Sequence, residues 1–344
     1  MNHLLPVAPI LLLFALLLSP AAALAGAKQG ISLWWGSVFP SLLPSFICLK
    51  LAQKLGLLRL CGRHPRGQLA AVIGFSLLSG APNGARLLHT LIEDGSLSSR
   101  DGARLLPVIN GVGPVFLLSI IASELLKNKA LFPPMATAYY GCAILLSFPF
   151  FLRRNGSDRV RDTVPSVPFA DALAAAIEES MLDMLRIGGC ILFACTLLSV
   201  MRPLLTSAAV SAAVAGAMEI SAGASAMAAL ALPLRVKVSL SIGAAAFGGL
   251  SLGLQTLCCF PGLKLIPYLL KKLLYGALVG AVCYALFPLF PGVAAAFASR
   301  QEVLQRSLSL SALILSSALS AAFMGVLSLM IGPRNTNRLK QSCK

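Results

Sequence analysis

Two short polar segments interrupt long apolar stretches and carry residue types suited to holding a small solute. They are Ser79-Gly80-Ala81-Pro82-Asn83-Gly84 and Glu219-Ile220-Ser221-Ala222-Gly223-Ala224-Ser225. Gly and Pro end helices, so each segment is expected to form the tip of a helical hairpin. Helix ends leave backbone N–H groups free to bind anions. The candidate binding residues at the tips are Ser79, Gly80, Pro82, Asn83, Gly84, Ser221 and Gly223. The alternative is that these small residues only allow close helix packing.

Two ionisable residues accompany the tips. Arg86 follows the first tip and can pair with a solute carboxylate, because a guanidinium presents two parallel donors. Glu219 opens the second tip and is suited to a coupling cation or proton. A direct pair between Arg86 and Glu219 is the alternative. Uncharged hydrogen bonds are expected from Asn110 and Gln255.

A glycine-interrupted helix follows each tip at nearly equal distance. The first interruption is Asn110-Gly111-Val112-Gly113-Pro114, and the second is Gly248-Gly249-Leu250-Ser251. Unwound backbone of this kind coordinates solutes in many secondary transporters. Gly113, Gly249 and Ser251 therefore complete the set of candidate binding residues.

The composition places the chain in a membrane. Of 344 residues, 57% are hydrophobic and 12% are charged, and the mean hydropathy is +0.85. The net charge of +16 comes from short Lys and Arg clusters between apolar stretches, as in loops facing anionic lipid. No recognisable nucleic-acid module is present, so nucleic acid is excluded as a partner. The nine cysteines lack zinc-ligand spacing, and no metal or cofactor is expected, although the coupling ion stays open.

The apolar stretches predict an all-α polytopic membrane protein with about 8 transmembrane helices. Basic clusters around Lys50, Arg153, Lys264–Lys272 and the C-terminus are expected on the cytoplasmic side. They reach the same side only if 67–92 and 207–234 enter the membrane and turn back as re-entrant hairpins. The first apolar stretch, from Leu4 to Ala27, has no Lys or Arg before Lys28. It is expected to be a retained helix, with a cleaved signal peptide as the alternative.

The predicted elements form two units of opposite orientation, a layout typical of secondary transporters. The predicted organisation is an N-terminal helix or signal anchor at 1–30, a first repeat at 31–152, a cytoplasmic linker and amphipathic arm at 153–185, a second repeat at 186–292, and a C-terminal helix with a basic tail at 293–344.

Four motifs, in this order, resemble the sporulation integral membrane proteins with two nucleoside-recognition gate domains. They are Trp34-Trp35-Gly36-Ser37-Val38-Phe39-Pro40-Ser41-Leu42-Leu43-Pro44, the segment from Ser79 to Ala85, the segment from Met218 to Gly223, and Gly248-Gly249-Leu250-Ser251 with Gln255. The resemblance implies a transporter-like inverted repeat that moves dipicolinate out of the mother cell during endospore formation. It also implies a location in the outer forespore membrane.

Three other functions are weighed against dipicolinate transport. Transport of a nucleoside is the runner-up, and a non-transporting sporulation scaffold is the third candidate. Enzymatic activity is not expected: Gly249-Leu250-Ser251-Leu252-Gly253 fits a hydrolase nucleophile pattern, but no histidine follows Ser251 as that chemistry requires. The expected partners are a small anionic solute and the lipid bilayer, with homo-oligomerisation as a further possibility because Gly276 and Gly280 form a GxxxG pair.

Overall fold

The computed structural model describes residues 7–56, 65–152 and 167–291, and these residues form helices without a strand. Six helical segments are long and apolar enough to cross a membrane. They are Pro20–Lys54, Ser99–Leu125, Lys129–Leu152, Phe169–Leu204, Leu234–Cys259 and Leu265–Leu289. The predicted class, an all-α polytopic membrane protein, is confirmed. Of the eight predicted transmembrane helices, the first is not a separate span, because Val7–Leu18 is short and the helix that follows it runs on from Pro20 to Lys54. The last lies outside the described residues.

Two pairs of shorter helices form hairpins. In the first hairpin, Pro65–Ser79 and Asn83–Glu93 pack side by side. In the second hairpin, Ala208–Met218 and Ile220–Ala229 do the same. Close approach is possible because Gly84 lies against Ser76 in the first pair and Gly223 lies against Gly216 in the second.

Two of the six long segments are interrupted helices. The first broken helix consists of Ser99–Ile109 and a second part that starts at Pro114 and runs to Leu125. The residues between, 110–113, are non-helical and are called the first break. The second broken helix consists of Leu234–Phe247 and Gly249–Cys259, joined at the left-handed Gly248, which with Gly249 is called the second break.

The same order of elements occurs twice along the chain: a long helix, a hairpin, a broken helix and a further helix. Pro20–Lys54 opens the first set and the helix Phe169–Met201 opens the second. These two long helices pack together where Gly26 and Gly30 meet the backbone around Leu192 and Cys195. The sets close with Phe132–Leu152 and Leu265–Leu286.

Two predicted domain borders fall inside continuous helices. The border at 30/31 lies within Pro20–Lys54, and the border at 185/186 lies within Phe169–Met201. The predicted amphipathic arm at 168–185 forms the first half of the long helix Phe169–Met201. Asp183 on this half is buried against cations of other helices. The predicted C-terminal unit at 293–344 lies outside the described residues.

The GxxxG pair is already used inside the chain. A Cβ on Gly276 would lie 2.5 Å from the carbonyl oxygen of Gly243, and one on Gly280 would lie 3.0 Å from that of Ser239. These contacts join Leu265–Leu286 to the second broken helix. Homo-oligomerisation stays a prediction, but this pair does not support it.

Candidate functional site

The tip of the first hairpin lies against the first break. Ala81 N donates a hydrogen bond of 2.6 Å to the Gly111 carbonyl oxygen. A Cβ on Gly80, which has φ +74°, would lie 2.7 Å from Gly113 N, and a Cβ on Gly113 would lie 2.9 Å from the Leu78 carbonyl oxygen. Glycine is needed on both sides because backbone meets backbone here.

The second hairpin meets the second break in the same way. A Cβ on Gly249, which has φ +66°, would lie 3.1 Å from the carbonyl oxygens of Gly216 and Ala217. Between the two helices of the hairpin stands Glu219, whose side chain caps Ile220–Ala229 by accepting a 2.8 Å hydrogen bond from Ala222 N. The carboxylate is buried at the tip.

The two tips, the first break and the helix that follows the second break line a cavity of about 50 Å³. Both halves of the chain contribute to its wall, which is formed by Val38, Leu42, Ser79, Gly80, Ala81, Gly111, Val112, Gly113, Phe116, Ile187, Ile191, Glu219, Ile220, Leu252 and Gln255. Five of the predicted binding residues are among them: Ser79, Gly80, Gly113, Glu219 and Gln255. Among these wall residues, Glu219 alone carries an ionisable side chain.

Most other predicted residues surround the cavity without lining it. Asn83 is buried at the start of its half-helix, and its Nδ2 has no hydrogen-bond partner in the part of the chain that the structure describes. Ser251 accepts a 3.3 Å hydrogen bond from Gln255 Nε2 and thereby orients a wall residue. The remaining members are packing or turn positions: Pro82, Gly84, Ser221, Gly223 and Gly249.

Arg86 was predicted to bind a solute carboxylate, but it does not line the cavity. Its guanidinium makes a two-pronged pair with the buried Asp183, with Nη1 2.5 Å from Oδ2 and Nη2 bound to Oδ1. Lys50 Nζ lies 2.5 Å from the same carboxylate, and Arg186 lies 3.4 Å from it. The expected alternative partner, Glu219, is not part of this cluster. Arg86 prefers Asp183 because a buried carboxylate requires cations.

This cluster, called the Asp183 cluster, lies next to the cavity. Asp183 is one helical turn from the wall residue Ile187, Arg86 follows the wall residue Ala81, and Lys50 is two turns beyond Leu42. The first hairpin and both long helices thus run from the cavity wall into the cluster. The cluster is therefore connected to the wall through these three elements, while its own charged side chains lie outside the wall.

The first break is held by polar side chains from other helices. Asn110 Oδ1 accepts a 3.2 Å hydrogen bond from Ala85 N in the first hairpin, and its Nδ2 donates to Thr256 Oγ1 at 2.8 Å. Tyr139 Oη accepts from Val112 N at 2.9 Å, and Tyr140 Oη donates to the Val112 carbonyl at 3.3 Å. Asn110 therefore connects the two halves rather than facing a solute.

Sequence reasoning missed several of these residues. Lys272 was expected in a cytoplasmic loop, but it is fully buried and donates a 3.0 Å hydrogen bond to the Asn110 carbonyl oxygen. Lys50 was also expected in a basic loop and is buried in the Asp183 cluster. The available signal was position: each Lys falls within a helix long enough to span the membrane, where an ionisable residue is a functional candidate.

One relative was found among curated proteins. The chain is 32% identical over 169 residues to the sporulation integral membrane protein YlbJ of Bacillus subtilis (strain 168). The match covers 45% of this chain and 41% of that protein's length. No family model and no solved structure matches the chain. The similarity supports a relation to sporulation membrane proteins, and the six long apolar helices support a multi-pass membrane protein.

Proposed function

We propose that this protein transports a small anionic solute across the membrane, and that the solute is dipicolinate leaving the mother cell during endospore formation. The observation that carries the proposal is the meeting of two hairpin tips and two broken helices at one cavity. Half-helix ends present free N–H groups to a bound solute without placing a full charge in the membrane. The resemblance to sporulation membrane proteins supports dipicolinate as the solute and the outer forespore membrane as the location.

The geometry supports alternating access around this cavity. A 50 Å³ space holds water molecules but is too small for a planar pyridine dicarboxylate, so the tips must separate for the solute to enter. The first hairpin can move away only if Arg86 leaves Asp183. The Asp183 cluster would then hold the first hairpin in its closed position.

A nucleoside is the second candidate solute, favoured by the wall itself. Apart from Glu219, the wall consists of uncharged residues, and eight of them are large apolar ones: Val38, Leu42, Val112, Phe116, Ile187, Ile191, Ile220 and Leu252. A neutral ring with hydroxyl groups suits such a wall, with Gln255 and Glu219 as hydrogen-bonding groups.

The test is uptake of labelled dipicolinate into proteoliposomes, with and without excess unlabelled nucleoside. We expect saturable dipicolinate uptake by the wild type and a loss of at least about tenfold in Asn83→Ala, because the Asn83 amide is a buried donor that nothing in the described fold uses. Glu219→Gln should also lose flux while keeping its capping hydrogen bond. The matched control is Glu124→Gln, a carboxylate outside the cavity wall that accepts from Ser37 Oγ.

Each outcome separates the candidates. Nucleoside uptake without dipicolinate uptake would assign the runner-up. Folded wild-type protein that carries neither solute would favour a sporulation scaffold. Full flux in both Asn83→Ala and Glu219→Gln would show that the tips are not the binding site.

A further inference from the structure

Lys272 is a buried cation that has no part in the transport function proposed above. It is the eighth of the 22 residues of Leu265–Leu286, inside a candidate membrane span, and none of its surface is exposed. Its ammonium group donates to the Asn110 carbonyl oxygen, and no carboxylate in the described residues forms an ion pair with it. Burying an ammonium group without a counter-ion is expensive, so such a residue calls for a functional explanation.

The ammonium group of Lys272 lies directly behind the cavity wall. Its Nζ is 3.5 Å from the position that a Cβ on Gly111 would occupy. Gly111 is a wall residue, and the ammonium group lies behind its backbone, next to the hydroxyl group of Tyr139, which also contacts the first break. In a medium of low dielectric constant, a charge at this range acts strongly on a bound anion.

We propose that Lys272 is the residue that makes the cavity select an anionic solute, by supplying the positive charge behind the first break. This inference rests on the proposed transport function. The wall contains one ionisable group, Glu219, and that group repels an anion when it is charged. Lys272 offsets this repulsion on the side of the first hairpin, where the Asn83 donor is also found.

The alternative to a role in anion selection is that Lys272 only stabilises the structure. A cation next to the last carbonyl groups of Ser99–Ile109 stabilises that helix end. Lys271, the preceding residue, also donates to a carbonyl of this helix, that of Ala103 at 3.3 Å. Lys271→Gln therefore removes the same charge and the same type of hydrogen bond, but away from the cavity.

The experiment compares half-saturation concentrations in proteoliposomes for wild type, Lys272→Gln, Lys272→Arg and Lys271→Gln. The competitors are unlabelled dipicolinate and its uncharged diamide, pyridine-2,6-dicarboxamide. We expect Lys272→Gln to raise the half-saturation concentration of dipicolinate by about tenfold or more. Competition by the diamide should change little, Lys272→Arg should retain part of the preference for the dianion, and Lys271→Gln should resemble the wild type.

The outcomes distinguish this inference from the proposed function. Wild-type flux with an unchanged dipicolinate half-saturation in Lys272→Gln would overturn the role of Lys272 and leave transport standing. Equal weakening of dipicolinate and diamide, or an equal effect of Lys271→Gln, would also overturn it in favour of the structural role. Wild-type protein that carries no anion would overturn the proposed function and this inference together.

Discussion

The two halves of the molecule place the same backbone arrangement around the cavity but give it opposite charges. In each half, a hairpin tip meets the break of the following helix through glycine. Behind the first break lies the cation Lys272, whereas the second tip carries the carboxylate of Glu219. The difference indicates that a repeated scaffold serves two tasks, with the anion expected near the first tip and a coupling cation or proton near the second.

The two breaks also differ in what holds them. The first break is bound by side chains of Tyr139, Tyr140 and Lys272, which come from other helices. The second break is a tight turn at Gly248 and Gly249, both at positive φ. Side-chain truncation should therefore damage the first break, while adding a methyl group should damage the second.

The largest expected effect concerns the ion cluster that ties the first hairpin to the long helices. Asp183→Asn leaves Lys50 and Arg86 without their shared carboxylate in a buried site. Removing one partner of a buried pair costs about 3–5 kcal/mol because the remaining charge is uncompensated. We expect a loss of this size in the free energy of unfolding, measured by denaturant titration in detergent micelles.

Glu179→Gln is the matched control for this prediction. Glu179 is on the same helix as Asp183, pairs with Lys54 at 2.6 Å and lies 3.8 Å from Lys50 Nζ, but its side chain is 48% exposed. An exposed pair contributes at most about 1 kcal/mol. If the two variants lose equal stability, the Asp183 cluster does not hold the first hairpin more firmly than a surface pair would.

The elements around the cavity were predictable because their signals are local. Gly and Pro at Ser79–Gly84 and the Gly248-Gly249 pair break helices whatever their surroundings. The continuity of the helices across the predicted borders at 30/31 and 185/186 was not predictable, because the local signals there point the other way. Lys28 and the charged residues from Asp171 to Asp183 suggested an end to the apolar helix, yet the helices continue through them.

The candidate site was predictable only in part, because burial of a charge depends on residues far apart in the chain. Arg86 was recognised as a membrane cation, but its partner Asp183 is 97 residues away. Asn110 was expected to face a solute, but Thr256 lies 146 residues further along and binds its amide. The roles of Tyr139 and Lys272 likewise come from tertiary contacts with the first break.

The second prediction tests the glycine turn of the second half. Gly249→Ala places a Cβ 3.1 Å from two carbonyl oxygens in a left-handed conformation. Backbone strain and the close contact together should cost about 3 kcal/mol of stability. Gly262→Ala has a similar φ of +76° with open space around its Cβ, so it should show the strain alone. Equal losses of stability in the two variants would mean that the close contact between the second hairpin and Gly249 adds no cost to the backbone strain.

The third prediction tests the connection between the halves. Asn110→Ala removes the side chain that accepts from Ala85 N and donates to Thr256 Oγ1, so both hydrogen bonds are lost, while Ala85 N keeps Pro82 and Thr256 keeps Leu252 as partners. We expect a loss of about 2 kcal/mol. A double-mutant cycle with Thr256→Val measures the part that belongs to the pair. Fully additive losses would contradict a direct Asn110–Thr256 bond.

The smallest expected effect comes from one hydroxyl group at the first break. Tyr139→Phe keeps the ring but leaves the buried Val112 N–H without its 2.9 Å acceptor. Hydrogen bonds inside membrane proteins are weak on average, so the cost should be about 1 kcal/mol. Tyr284→Phe is the control, since this ring is 45% exposed and should lose almost nothing. If Tyr139→Phe is as neutral as its control, the prediction that side chains hold the first break is refuted. The two breaks would then differ in charge alone.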